Sequence, residues 1–127
     1  MWVMRADRVT VKEASPERVM TAIREALSAG KGEIWIEHVQ GPILAIAIGG
    51  NRAMVMCMAE VGDAGYHAID AGASLVSSEE YLLTNGQVDR YADRDTVEVG
   101  HVMPIVTHFL ATLDRWPGVT WNDDNTT

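Results

Sequence analysis

Two apolar runs, Ile43 to Ile48 and Arg52 to Val61, are separated only by Gly49-Gly50-Asn51. Glycine and asparagine reach the positive φ that tight hairpin turns require, so the pair reads as a β-hairpin. In the second run Met54, Met56 and Met58 fall on one face, and Val55, Cys57 and Ala59 on the other. Both faces are apolar, so the strand is expected to be central and covered on both sides. A chain of 127 residues fits one domain, and 47% apolar residues supply a core without metals or disulfides. Aromatic side chains make up only 6%, so that core rests on Val, Ile, Leu, Met and Ala. The composition excludes collagen-like, low-complexity and disordered classes.

Around this hairpin the sequence predicts an α+β domain with a mainly antiparallel sheet and two helices packed on it. Residues 1–12 read as a strand or strand pair. A helix over 16–29 is well marked. Ser15 caps it, Pro16 suits its first position, Glu17 lies at the positive end of its dipole, and Gly30 ends it. Val19, Ile23, Ala26 and Leu27 form its apolar face, and nothing in it suggests a site. Glu33 to Val39 is a strand. Residues 62–78, rich in Gly, Ala, Ser and Asp, read as short irregular strands and loops. Glu79 to Thr84 and Gln87 to Tyr91 flank Asn85-Gly86, a strong hairpin signal. Val102, Ile105, Val106, Phe109, Leu110 and Leu113 mark a second helix over 101–114, with Pro104 tolerated in its first turn. Val119-Thr120-Trp121 closes the sheet, and 122–127 predicts a frayed polar tail on a single domain spanning 1–127.

The formal net charge is -8, and its distribution is informative. Residues 1–60 are balanced, with seven acids and seven bases, whereas residues 61–127 carry eleven acids against Arg90, Arg94 and Arg115. Such a field repels phosphates, so direct nucleic-acid binding is not expected; it draws in basic partners. An acidic surface also serves solubility alone. No apolar stretch has the ~18 residues that a membrane helix needs, and MWVMRADR lacks a secretory pattern. The lone Cys57 cannot form an internal disulfide, so a cytoplasmic location is expected.

Enzyme motifs are sparse. There is no phosphate loop, nucleophile elbow, Cys-x-x-Cys or His-Glu-x-x-His. His101 and His108 stand about 10.5 Å apart along a helix, too far to share a metal ion. Glu79 and Glu80 alternate across a strand and form no carboxylate pair. The Met row reads as core, and Cys57 as a buried inert thiol. No catalytic residue, cofactor or metal is expected on these grounds, and protein binding is favoured over catalysis. The alternative is a small-molecule-binding or enzymatic domain using Tyr66, His67 and Asp70.

The order of features over about residues 42–122 carries a resemblance. An apolar strand pair leads to a Gly/Ala/Asp loop with Tyr66, then Glu80-Tyr81 and Asn85-Gly86. A helix bearing Phe109-Leu110-Ala111-Thr112 follows, then Arg115, Pro117, Val119 and Trp121. This resembles the bacterial polymorphic-toxin immunity family numbered one, often paired with deaminase toxins. Leu113-Asp114 replace the family's frequent Thr-Gly, and Trp116 shifts the proline to four residues before Trp121. The resemblance implies a cytoplasmic antitoxin without catalysis or cofactor. It would bind one cognate secreted toxin domain, block its active site and present acid to a basic cleft.

For the binding face, the charge excess and the interleaved tyrosines point to Gly62–Ser78 and to the hairpin Glu79–Asp95. The expected toxin-binding residues are Asp63, Tyr66, Asp70, Glu79, Glu80, Tyr81, Asp89 and Tyr91.

Overall fold

The computed structural model describes residues 2–125. Its chain order is β1 (Trp2–Ala6), β2 (Val9–Ala14), α1 (Pro16–Ala29), β3 (Lys31–His38), β4 (Ile43–Gly49), β5 (Arg52–Met58), β6 (Tyr66–Ile69), β7 (Ser78–Leu82), β8 (Val88–Ala92), β9 (Val97–Glu98), α2 (Val102–Thr112) and β10 (Thr120–Asp123). The main sheet is antiparallel and runs β10-β6-β5-β4-β3-β1-β2, with β9 continuing the β6 edge of β5. β7 and β8 form a separate two-stranded sheet. This is the α+β architecture that the sequence predicts.

Strand alternation explains why the sheet is buried on both faces. One face carries Met4, Ile34, Ile36, Leu44, Ile46, Ile48, Val55 and Cys57, and both helices pack there through Val19, Ile23, Ile105, Val106 and Phe109. Among the described residues no helix packs on the opposite face. It carries Trp35, Ile43, Ala45, Met56 and Met58, a small second core. The β7–β8 hairpin covers the adjoining end of that face. All seven residues of β4 are buried, as the two-sided apolar pattern of the central hairpin requires.

Local chemistry sets the element ends. The Ser15 side chain accepts the Arg18 N–H at 3.1 Å, and Gly30 closes α1 at φ 71°. Pro104 lies in the first turn of α2, where no helical N–H is lost. Leu113 at φ 63° ends α2 at Thr112, two residues before the predicted limit. β5 likewise stops at Met58 rather than Val61. Asp63 turns the chain back there, its carboxylate accepting the Ala59 N–H at 3.0 Å, with Gly62 at φ 88°.

The predicted frayed tail is ordered through the described residues. Asn122 and Asp123 pair with β6, and the Asp124 N–H donates to the Gly65 carbonyl at 2.8 Å. Thr126 and Thr127 lie outside the described residues.

Cys57 points into the helix-covered core and is 7% exposed. Burial, aided by the charge of Asp114, pushes its thiol up to about 11. Only the thiolate is an effective nucleophile, so iodoacetamide at mildly alkaline pH should leave Cys57 unmodified in the folded protein. Labelling should become complete in denaturant; mass spectrometry of the two samples checks this.

Candidate functional site

The β7–β8 hairpin is built from Glu79, Glu80 and Tyr81 opposite Tyr91, Arg90 and Asp89. Directly paired residues share a side of a two-stranded sheet. The side turned to the main sheet therefore bears Glu79, Tyr81, Asp89 and Tyr91, and the outer side bears Glu80, Leu82, Val88 and Arg90. Tyr81 is fully buried and leans on Tyr91, with ring centroids 5.1 Å apart. It docks against Gly49, where a side-chain Cβ would lie 2.8 Å from the tyrosine ring and from the Glu80 carbonyl. Gly49 thus serves a close approach between layers as well as the neighbouring turn. The Thr84 N–H donates to Glu33 at 3.1 Å and pins the far end of the hairpin to β3.

The outer row is open to solvent. Leu82 and Val88 form a cross-strand apolar pair, 48% and 54% exposed. Glu80 pairs with Arg90, which also donates to Ser78. Beside them, the Tyr91 hydroxyl donates to Asp89 at 2.7 Å. That bond and one from Gln87 hold the Asp89 carboxyl below the usual carboxylate range. Burial, with the Asp89 charge, pushes the Tyr91 phenol up to about 12.

The eight expected residues fall in three places. Glu79, Glu80, Tyr81, Asp89 and Tyr91 share the hairpin, although Tyr81 faces the core and presents no surface. Asp63 and Tyr66 lie at the loop before β6 and at its start. Tyr66 shares the helix-covered face with Cys57, and the Arg115 guanidinium sits 3.6 Å from its ring centre. Asp63 is held below its usual range chiefly by the Ala59 N–H, so its carboxylate closes a loop.

Asp70 stands at the other end of β6, 2.8 Å from Arg52. Arg52 also donates to the Thr96 hydroxyl at 2.7 Å and to the Asp93 and Thr96 carbonyls. Its guanidinium thereby fastens the acidic 93–96 segment beneath the hairpin. The hydrogen bond from Arg52 holds the Asp70 carboxyl below its usual range.

Tyr66, His67 and Asp70 do not converge. Tyr66 and His67 point to opposite faces of β6. His67 lies between Asp124, 2.8 Å from Nδ1, and Asp95, 3.0 Å from Nε2. Asp70 instead lines a separate cleft of about 310 Å³ with Glu98 and His101. Among the described residues no cluster of three His, Cys, Asp or Glu has metal-holding geometry, and no helix is long and apolar enough to cross a membrane.

The Arg52 hub and the exposed Leu82–Val88 pair escaped the sequence reading. Leu82 was visible only as a strand residue, and its outward direction depends on which hairpin face Tyr81 occupies.

Fold and surface together define a small acidic α+β domain that carries an accessory hairpin on its helix-free face. In comparisons with known proteins, no family model and no curated protein matches the chain.

Proposed function

We propose that the protein is an immunity protein. On this reading it binds a cognate toxin domain and blocks a basic cleft, such as that of a nucleic-acid deaminase, within the cytoplasm of the producing cell. The observation that carries the reading is the outer row of the hairpin. There Glu80, paired with Arg90, stands beside the exposed apolar pair Leu82 and Val88, and Glu79, exposed on the inner row, and Asp89 border it, on an element anchored by Tyr81. An apolar centre with an acidic rim fits a cleft made for phosphate. Rim charges steer encounter, while a desolvated centre retains the partner. The family resemblance over residues 42–122 supports the same reading. Tyr66 and Asp70 lie at opposite ends of β6 and do not form one contact patch, so the hairpin carries the proposal.

The test is affinity for the toxin domain encoded by the neighbouring gene. Glu79→Lys combined with Glu80→Lys should slow association about tenfold at low salt, and the difference should shrink at high salt. Asp89→Ala, at the rim and engaged with Tyr91, should change little. Equal association at both salts, with full affinity after the double reversal, would exclude this face. No complex with the wild-type protein would exclude the immunity reading itself.

A further inference from the structure

A two-stranded sheet has two free edges, and in the β7–β8 hairpin they differ. The Leu83 N–H donates to the Gln87 carbonyl at 2.8 Å, and the Asp93 N–H to the Ser77 carbonyl at 2.8 Å. Bonded and non-bonded pairs alternate along an antiparallel ladder. Between those two bonds the register therefore makes Glu79–Tyr91 and Tyr81–Asp89 the bonded pairs. The backbone groups of Ser78, Glu80 and Leu82 point out of the β7 edge, and those of Val88, Arg90 and Ala92 point out of the β8 edge.

The β7 edge is covered, because β7 packs on β3 and β4 and the Glu80 carbonyl closes on Gly49. The β8 edge is not. Among the described residues the N–H and C=O of Val88 and of Arg90, and the N–H of Ala92, have no hydrogen-bond partner. Val88 and Arg90 are also exposed to solvent. Nor is this edge blunted. β2, at the rim of the main sheet, is broken by a β-bulge and carries Lys12, both of which discourage edge pairing. β8 keeps five consecutive pairs in unbroken register and has no proline. A two-stranded hairpin is marginal in water by itself, and a third strand completes it.

We propose that the β8 edge takes up an extended strand of the toxin domain, so that the hairpin becomes a three-stranded sheet shared by the two proteins. This rests on the immunity reading and gives it a mode of contact. An extended chain presents donors and acceptors at the spacing of Val88, Arg90 and Ala92. A second copy of this chain does not fit. Antiparallel self-pairing centred on Asp89, Arg90 or Tyr91 sets Asp89 on Asp89, Arg90 on Arg90 or Asp89 on Asp93. Like charges directly opposite destabilise a ladder. Glu79, Glu80 and Asp89 instead draw a basic domain to this edge. The strand it takes is apolar opposite Val88, which widens the Leu82–Val88 pair into a row of three, and it has no base opposite Arg90.

The probe is the toxin domain encoded by the neighbouring gene, titrated against the full chain and two variants. Arg90→Ala removes only the side chain and should weaken binding less than about threefold, because its ion pair with Glu80 is exposed. Arg90→Pro also removes the outward N–H, which bonds nothing within the hairpin, and should weaken binding about tenfold or more. Urea unfolding of both variants separates lost binding from lost folding. Amide exchange followed by NMR needs no variant and decides the matter if Arg90→Pro does not fold. The Val88, Arg90 and Ala92 amides should exchange freely in the isolated chain and be protected in the complex, with backbone NOEs from Asp89 and Tyr91 to a toxin strand. The isolated chain should sediment as a monomer. Equal affinity of the two folded variants, or free exchange at Arg90 in the complex, would overturn strand addition and leave the immunity reading standing. No complex with the wild-type chain would overturn both. A dimer of the isolated chain that Arg90→Pro dissociates would give the edge to a second copy and overturn the toxin strand as its occupant.

Discussion

Phe109→Ala is expected to cost about 4 kcal/mol of folding stability, in the middle of the range for truncating a buried aromatic side chain. Phe109 is fully buried, and its ring lies 5.5 Å from that of Trp2 on the far side of the sheet order. The helix that bears it has little else to hold it. Residue His101 at its N-cap gives no side-chain hydrogen bond, no acid stands in its first turn and no base in its last. Isolated helices of this length are marginal in water, so α2 depends on the packing of Val102, Ile105, Val106 and Phe109. Truncation removes the largest of these side chains and leaves a cavity between α2 and β1. Urea unfolding should show a lower midpoint with an unchanged slope. A loss below about 1 kcal/mol would mean that α2 is not fastened through this face.

Arg52→Met is expected to cost about 3 kcal/mol. The substitution keeps the stem and removes every donor, leaving the Asp70 carboxylate, the Thr96 hydroxyl and two carbonyls without their partner. The Asp70 side chain is 33% exposed, so water recovers part of the loss and the cost stays at the low end for a broken buried pair. The same pair has a pH signature. Asp70 has a depressed pKa in the folded protein, chiefly through its hydrogen bond from Arg52. Its contribution is therefore complete above the ordinary carboxylate range and is lost as pH falls through the folded value. Asp70→Asn should flatten the decline in stability below about pH 4, measured by denaturation at stepped pH. A decline identical to wild type would show that this pair does not carry it.

Local signals with a complete physical cause were legible in the sequence. Ser15, Pro16 and Gly30 bounded α1 because capping and left-handed closure act within a few residues. The two-sided apolar runs placed β4 and β5 at the centre, and Asn85-Gly86 placed the β7–β8 hairpin. What stayed hidden depended on long-range pairing. The two-residue strand β9 exists only because Arg52 and Ala53 meet Glu98 and Val97, 44 and more residues along the chain. The polar tail looked free to fray, yet His67 and Gly65 hold Asp124 from nearly sixty residues away. On the candidate face, the charge pattern identified the hairpin as acidic. It did not separate Tyr81, which the core absorbs, from Leu82, which the core leaves outside, because that choice is made by Gly49 on another strand.

The hairpin divides its labour between two rows of side chains. Tyr81 on the inner row is committed to Gly49, and the pin between Thr84 and Glu33 fixes the reach of the loop. Glu80, Leu82, Val88 and Arg90 on the outer row face solvent, and the ion pair among them joins only the two strands of the hairpin. Descendants of this chain can therefore rewrite the outer row, in charge or in shape, under no constraint from the core. A lineage pressed to follow a changing adversary would vary there first, strand by strand in alternate positions, while the inner residues stayed as they are.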